Sequence, residues 1–213
     1  MKHMIMFRKV EIILATLILC MNPLIAQDSP LKPNYAIRID YQSGHLNPWL
    51  FYEVQLKKSI GFLCVFQTST QGFAEIDLGP NFHFGQLQII TQVGFEIVET
   101  DDKGGELGHI VPQGYLIYYD KHWSFESWNL YFVKTNSKNE TYFYFRDFLL
   151  YNFIKKISVG PQIEGNIYLD NSPDNFLGGR INIDIGIGTM GLFYGYDNQT
   201  HTNCFRMTFL KFF

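Results

Sequence analysis

Hydrophobic and polar residues alternate with a period of two in several segments of this 213-residue chain. The clearest is residues 179–187, where one side carries Ile181, Ile183, Ile185 and Ile187. A period of two predicts a β-strand, because successive side chains of a strand point to opposite faces. Residues 35–42, 50–57, 86–97 and 162–169 alternate in the same way. No sustained helical spacing competes with this pattern after the first 26 residues, so we predict an all-β fold.

The links between these segments favour a membrane barrel over a soluble sandwich. Reading about twelve strands, the links after the odd-numbered ones are polar and rich in turn formers: QSGHLNP, TSTQG, ETDDKGGELGH, TNSKNE, LDNSPDN and DNQTHTN. The links after the even-numbered ones are shorter or less polar: KKSIG, GPNFHFG, YDKH, NFIKK and GTMG. Long loops on one side and tight turns on the other are typical of a transmembrane antiparallel β-barrel in the bacterial outer membrane. Ten strands are the alternative. Each strand needs about 9 to 11 residues to cross the membrane, and twelve such strands would leave few of residues 27–213 for the links.

The first 26 residues have the layout of a signal peptide that is cleaved after Ala26. Lys2, Arg8 and Lys9 precede an apolar run that ends near Met21. That run is shorter than the roughly 20 residues that a membrane-spanning helix needs. We therefore divide the chain into a signal peptide, residues 1–26, and an outer-membrane β-barrel, residues 27–213.

Composition agrees with a membrane location and excludes some partners. Aromatic residues make up 17% of the chain, which suits the aromatic girdles of a barrel. The net charge of −3 and the lack of a basic patch give no reason to expect a nucleic-acid partner. Cys64 and Cys204 are far apart in sequence and are predicted to be unpaired. The surrounding partner is expected to be outer-membrane lipid.

The last strand, CFRMTFLKFF, ends the chain at Phe213. Its apolar face carries Phe205, Met207, Phe209 and Phe213. A terminal Phe on such a strand resembles the signal that barrel-assembly machinery recognises, so this machinery is an expected partner.

No catalytic or metal-binding motif is present. GxSxG and HExxH do not occur, and no Cys or His spacing matches a metal site. His45, His109 and His201 are predicted to lie in solvated outer loops. We predict no enzyme activity, no catalytic residue, no metal and no cofactor.

The polar faces of the predicted strands should line the lumen of the barrel. The candidate lining residues are Arg38, Asp40, Glu53, Gln55, Glu75, Asp77, Gln88, Gln92, Glu96, Glu164, Asn166, Arg180, Asp184 and Arg206. Two interpretations are open. These side chains either pair with one another and plug a narrow barrel, or they form the surface of a polar pore.

Several segments in order resemble the Tsx-like nucleoside-specific channels. They are FYEVQLKKSIGFLCVFQ, GFAEIDLGPNF, TQVGFE, GYLIYYDKHWSF, YFYFRDF and SVGPQIEGNIY. The resemblance implies a twelve-stranded barrel with a narrow channel that passes nucleosides, and it assigns no individual ligand residue here. The leading hypothesis is a monomeric, passive channel for a small polar solute, with nucleosides as the named candidate. The alternative is a plugged structural or partner-binding barrel without transport activity, and an enzyme ranks third.

Overall fold

The computed structural model describes residues 33–100, 104–169 and 173–213. In these ranges the chain forms twelve antiparallel strands that close into one barrel, which confirms the predicted fold. The strands are β1 Pro33–Gln42, β2 His45–Lys57, β3 Ile60–Ser69, β4 Phe73–Phe84, β5 Leu87–Thr100, β6 Gly104–Tyr119, β7 Trp123–Lys134, β8 Tyr142–Ile154, β9 Ile157–Tyr168, β10 Asp174–Asp184, β11 Thr189–Asp197 and β12 Thr202–Phe212. The predicted signal peptide lies outside the described residues.

Each strand pairs with the next one along the chain, and β12 closes the ring against β1. In this seam Ile37 lies opposite Lys211, and Asp40 lies opposite Thr208. The amide of Phe213 also donates a hydrogen bond of 2.9 Å to the carbonyl of Tyr35. Closure pairs the first and last strands, so the sheet has no free edge.

The two faces of the sheet differ sharply in polarity. Apolar side chains stand exposed on the outside of strands all round the ring, for example Ile37, Phe62, Val93, Phe95, Ile163, Leu177 and Met207. Charged side chains in the middle of the same strands, such as Arg38, Glu96, Glu164, Arg180 and Arg206, are buried inside. Such an arrangement is opposite to that of a soluble protein and is what a bilayer-spanning barrel needs. Among the described residues, no helix is long and apolar enough to cross a membrane.

The predicted sorting of the links by length is much weaker in the structure. The link after β1 is only residues 43–44, because the polar segment that follows belongs to β2. Most of the predicted loop ETDDKGGELGH likewise extends β5 and β6. Only the β7–β8 link, residues 135–141, is long among the fully described ones. Polar segments can pair as strands beyond the apolar belt, since the pairing uses backbone groups.

The alternation of residues 179–187 also ends earlier than predicted. β10 stops at Asp184, and Ile185 and Ile187 lie exposed in the turn to β11. The turn contains Gly186 at a φ of 85°, a left-handed conformation that glycine adopts without steric cost. Four isoleucines at alternate positions therefore span a strand and a turn.

Strands β10 and β11 approach each other closely at a pair of inward glycines, Gly178 and Gly195. A Cβ added at Gly178 would lie 1.9 Å from the carbonyl oxygen of Tyr194 and 2.5 Å from Cα of Gly195. A Cβ added at the neighbouring Gly179 would meet nothing within 4 Å. Gly178 is therefore required by backbone packing, whereas Gly179 is not.

We predict that Gly178→Ala destabilises the barrel and that Gly179→Ala does not. The added methyl at Gly178 overlaps backbone atoms that cannot rotate away, so a loss of more than about 1 kcal/mol is expected. The urea concentration at which half of the refolded protein loses heat-modifiable gel migration measures the effect. Equal midpoints for the two variants would contradict the close approach.

Candidate functional site

Ten of the fourteen predicted lumen residues are buried inside the barrel. They are Arg38, Asp40, Glu53, Glu75, Asp77, Gln92, Glu96, Glu164, Arg180 and Arg206. Gln55, Gln88 and Asn166 are half-buried. Asp184 differs, because it is exposed at the end of β10 and its Oδ1 accepts a hydrogen bond of 2.8 Å from the Gly186 amide. Asp184 therefore closes a turn at the end of β10.

Asp40 is the centre of a charged cluster that we call the waist, formed by Arg38, Asp40, Arg146, Glu164 and Arg206. Arg38 donates two hydrogen bonds of 2.8 Å to Asp40, one from Nε to Oδ1 and one from Nη2 to Oδ2. Nη1 of Arg146 and Nη1 of Arg206 lie 3.5 and 3.4 Å from its Oδ2. One carboxylate, 1% exposed, is thus shared by three guanidinium groups. This sharing offsets part of the cost of burying the charges.

The waist continues along the wall through Glu164. Nη2 of Arg206 lies 3.2 Å from Glu164 Oε1. Gln162 donates a hydrogen bond of 2.9 Å to Glu164 Oε2, and its own Oε1 accepts one of 3.0 Å from Arg180 Nη1. A connected polar network therefore runs from β1 through β12 and β9 to β10.

Trp128 on β7 joins the waist to the opposite wall. Its ring centre lies 4.5 Å from Cζ of Arg38 and 3.8 Å from Cζ of Arg146, which are cation–π distances. Trp49 also packs edge-on against it at 5.8 Å. Strands β1 and β7 are six positions apart in the ring of twelve, so the Arg38 contact crosses the lumen. The waist is consequently a constriction.

Four carboxylates face the lumen from strands β2, β4 and β5, and we call them the acidic wall: Glu53, Glu75, Asp77 and Glu96. Glu53 Oε1 accepts a hydrogen bond of 2.9 Å from Asn81 and lies 2.6 Å from His83 Nε2. Glu75 Oε2 accepts one of 2.6 Å from Gln67. The lumen therefore has an excess of arginines over carboxylates on one side, from β8 round to β1, and a group of carboxylates without arginines on the other.

His109 contacts the acidic wall, and the prediction that it lies in a solvated loop is wrong. It is part of β6, is 7% exposed, and forms a hydrogen bond through Nδ1 to Glu96. Its Nε2 lies 2.9 Å from the carbonyl oxygen of Glu140. The sequence around His109 predicts a loop because it is rich in glycine and charged residues.

Some buried charged atoms have no hydrogen-bond partner among the described residues. On the arginine side they are Nε and Nη2 of Arg146. On the acidic wall they are Glu75 Oε1 and both carboxylate oxygens of Asp77. Glu75 and Asp77 also lie close enough to each other and to Gln113 to interact. Burying polar atoms with incomplete hydrogen bonding costs free energy, which water or a polar solute in the lumen would reduce. Both sides of the lumen thus retain unused binding capacity.

Inward glycines make room for the long side chains. A Cβ at Gly94 would lie 2.3 Å from Asp77 Oδ1 and 2.5 Å from Glu75 Oε1. A Cβ at Gly191 would lie 2.4 Å from Nη2 of Arg180. The charged groups of both walls therefore occupy space that any other residue at these glycine positions would fill.

The sequence pattern misses Arg146 and Trp128, although both are buried at the waist. The reason is that the lumen also contains an apolar cluster: Leu63, Val65, Ile90, Val111, Tyr115, Trp128, Leu130 and Phe132. The members on β7, together with the buried Phe148 and Leu150 on β8, remove the contrast between the two faces of these strands. The adjacent Arg146 and Asp147 show that one charge must point outward, and the structure assigns that position to Asp147.

A cavity of about 150 Å³ lies on one side of the waist. Asn34 and Phe212, from the seam where the barrel closes, lie at one end of its lining, and Arg38 and Trp128 lie at the other. Most of the lining surface between them is apolar and aromatic, including Tyr115. Within the described ranges, no group of three or more His, Cys, Asp or Glu side chains is arranged to hold a metal ion.

Solved structures share this fold at very low sequence identity. The NanC porin is 11% identical with a TM-score of 0.54, and the match covers 84% of this chain and 99% of that one. The KdgM porin in complex with disordered oligogalacturonate is 10% identical with a TM-score of 0.54, covering 84% and 98% of the two chains. No family model and no curated protein matches the sequence. The comparisons therefore show that the chain has the fold of outer-membrane porin barrels.

We predict that Asp40→Asn strongly destabilises the barrel. The substitution removes the charge that three buried arginines share, and breaking a buried ion pair costs about 3 to 5 kcal/mol. Asp184→Asn is the matched control, because that carboxylate is exposed and an amide oxygen can still accept the Gly186 hydrogen bond. Urea unfolding in lipid vesicles measures both. Similar midpoints for the two variants would show that the waist does not stabilise the fold.

Proposed function

We propose that this protein is a passive channel of the bacterial outer membrane for small polar solutes, with the waist as its selectivity region. The observation that carries this proposal is the pair of buried charged surfaces that face each other inside an apolar-walled barrel. Each retains charged atoms without a partner among the described residues. In a sealed structural barrel such atoms only lower the stability. In a channel they can form hydrogen bonds to a passing solute and so recognise it.

The outer membrane is the location that best fits the barrel. Its outward band is apolar, and Phe213, which directly follows β12, is the residue that barrel-assembly machinery is expected to recognise. The predicted signal peptide would direct the chain out of the cytoplasm. The porins that share the fold support the same location.

The charge arrangement indicates which solutes the lumen accepts. Arginines on one side and carboxylates on the other create a field across the lumen, which orients dipolar and hydroxyl-rich solutes. Trp128 and Tyr115 add aromatic surfaces next to the charges. A nucleoside has both a hydroxyl-rich sugar and a flat base, so it fits this combination. The resemblance to the Tsx-like channels supports the same candidate. One fold relative, the KdgM porin, was solved with oligogalacturonate, so sugar acids are the competing class.

A plugged barrel is the second candidate function. Side chains from opposite walls touch at Arg38 and Trp128, and the cavity beside them holds only about 150 Å³. In this case the waist would seal the lumen and the outer loops would bind a partner. Current through single barrels separates the two functions, because only a channel conducts.

We predict that the refolded barrel gives discrete current steps in a planar bilayer and that Trp128→Ala enlarges them at least about twofold. The substitution removes the ring that Arg38 contacts across the lumen and that Arg146 contacts from the neighbouring strand β8. Trp123→Ala is the matched control, because Trp123 is exposed on the outside at the start of β7. No current from the wild type or from Trp128→Ala would contradict the channel and favour the plugged barrel.

We further predict that uridine reduces the current of the wild-type channel, because its base and ribose engage the aromatic and charged groups at the waist. Ribose alone is the control and should reduce the current less. If galacturonate blocks the current and uridine does not, the nucleoside assignment is wrong and a sugar-acid channel replaces it.

A further inference from the structure

A polar stripe crosses the outside of four neighbouring strands, where lipid would otherwise lie. The stripe consists of Thr91 on β5, Gly114 on β6, Ser127 and Asn129 on β7, and Asp147 on β8. Thr91 pairs with Gly114, Gly114 pairs with Asn129, and Ser127 pairs with Asp147. These positions are therefore contiguous on one surface of the sheet.

The stripe lies within the apolar belt and not at its rim. Asp147 is five residues from the first residue of β8 and seven from the last, in the middle of the strand. The outward neighbours along β8 are apolar on both sides, with Phe145 before it and Leu149 after it. A tilted strand crosses the apolar belt with about 9 to 11 residues, so Asp147, in the middle of the 13-residue β8, is inside it.

Asp147 is the one charged side chain on the outside of a described strand that lies away from the strand ends. Its Oδ1 is buried under its neighbours and has no hydrogen-bond partner among the described residues. The neighbouring Asn129 donates a hydrogen bond of 3.0 Å to the Ser127 hydroxyl and retains a second amide hydrogen. Lipid tails cannot satisfy these groups, and a lipid-facing charge destabilises a barrel.

We propose that the polar stripe is the interface through which two copies of this chain pair in the membrane. The stripe carries an acceptor, the Asp147 carboxylate, at one end and a donor, the Thr91 hydroxyl, at the other, with Asn129 and Ser127 between them. A twofold axis near Asn129 places the carboxylate of each copy against the donor end of the other. The surface is thus complementary to itself, as an isologous interface must be.

Gly114 allows the two barrels to approach closely at the centre of the stripe. A Cβ added there would meet only the carbonyl oxygen of Ile90, at 3.9 Å, so the surface is flat and open. Small residues at such positions let membrane-embedded surfaces come into contact and form hydrogen bonds. The pairing goes beyond the proposed channel function, and it differs from the monomer expected from the sequence.

Cysteine cross-linking in native membranes tests the pairing directly. Asn129→Cys should form a disulfide-linked dimer under mild oxidation, because its position lies beside the proposed twofold axis. Ile37→Cys is the matched control on the far side of the barrel, where an exposed side chain should not cross-link. The native cysteines provide a second control. Both are free, as predicted, with Cys64 on the outside of β3 and Cys204 buried inside, so the wild type should stay uncross-linked.

Light scattering of the purified full-length barrel gives an independent measurement. The wild type should have the mass of two chains, and the double variant Asn129→Leu with Asp147→Leu should have the mass of one. Both should keep heat-modifiable migration, which shows that the barrel itself is folded. A wild type of one chain, or a double variant that stays dimeric, overturns the proposal. Equal cross-linking at positions 37 and 129, or capture of a different protein at position 129, also overturns it.

Discussion

The packing of the barrel interior depends on the ion pairs that the buried carboxylate of Asp40 forms with three arginines. This carboxylate accepts two hydrogen bonds from Arg38 on its own strand, and it lies within 3.5 Å of Arg146 and Arg206 on β8 and β12. The same contacts fasten the closing seam between β1 and β12 and tie it to strands across the lumen. Because buried arginines need counter-charges, the shape of the waist depends on Asp40 together with Glu164, which pairs with Arg206.

Polar atoms without a hydrogen-bond partner among the described residues occur on both faces of the barrel, and different molecules can bind them on each face. Inside, Nε and Nη2 of Arg146 have no hydrogen-bond partner among the described residues, and the proposed solute would bind there. Outside, Asp147 keeps one such atom in the middle of an apolar belt, where a second protein surface can satisfy it and lipid cannot. Arg146 and Asp147 are adjacent in β8, and consecutive side chains of a strand point to opposite faces, so Arg146 faces the lumen and Asp147 faces outward.

The sequence predicts the barrel and much of the lumen. In β1, β4, β5 and β9 charged and polar residues alternate with apolar ones, and the apolar face must contact lipid, so the polar face must line the interior. The sequence does not predict Arg146 and Trp128, since inward apolar residues such as Leu130 hide the alternation of β7 and β8. The loop lengths are wrong because backbone pairing extends strands into polar segments. Contacts across the lumen, such as Arg38 with Trp128, depend on the curvature of the closed sheet and leave no trace in the local sequence.

The most direct test of the bridged waist is a double-mutant cycle between Arg38 and Trp128 in urea unfolding. The variants are Arg38→Met, Trp128→Leu and their combination, all refolded in lipid vesicles. The bridge predicts a coupling free energy of about 1 kcal/mol or more, because residues in contact do not contribute additively. Additive effects would mean that the two side chains do not meet across the lumen, and the constriction would be absent.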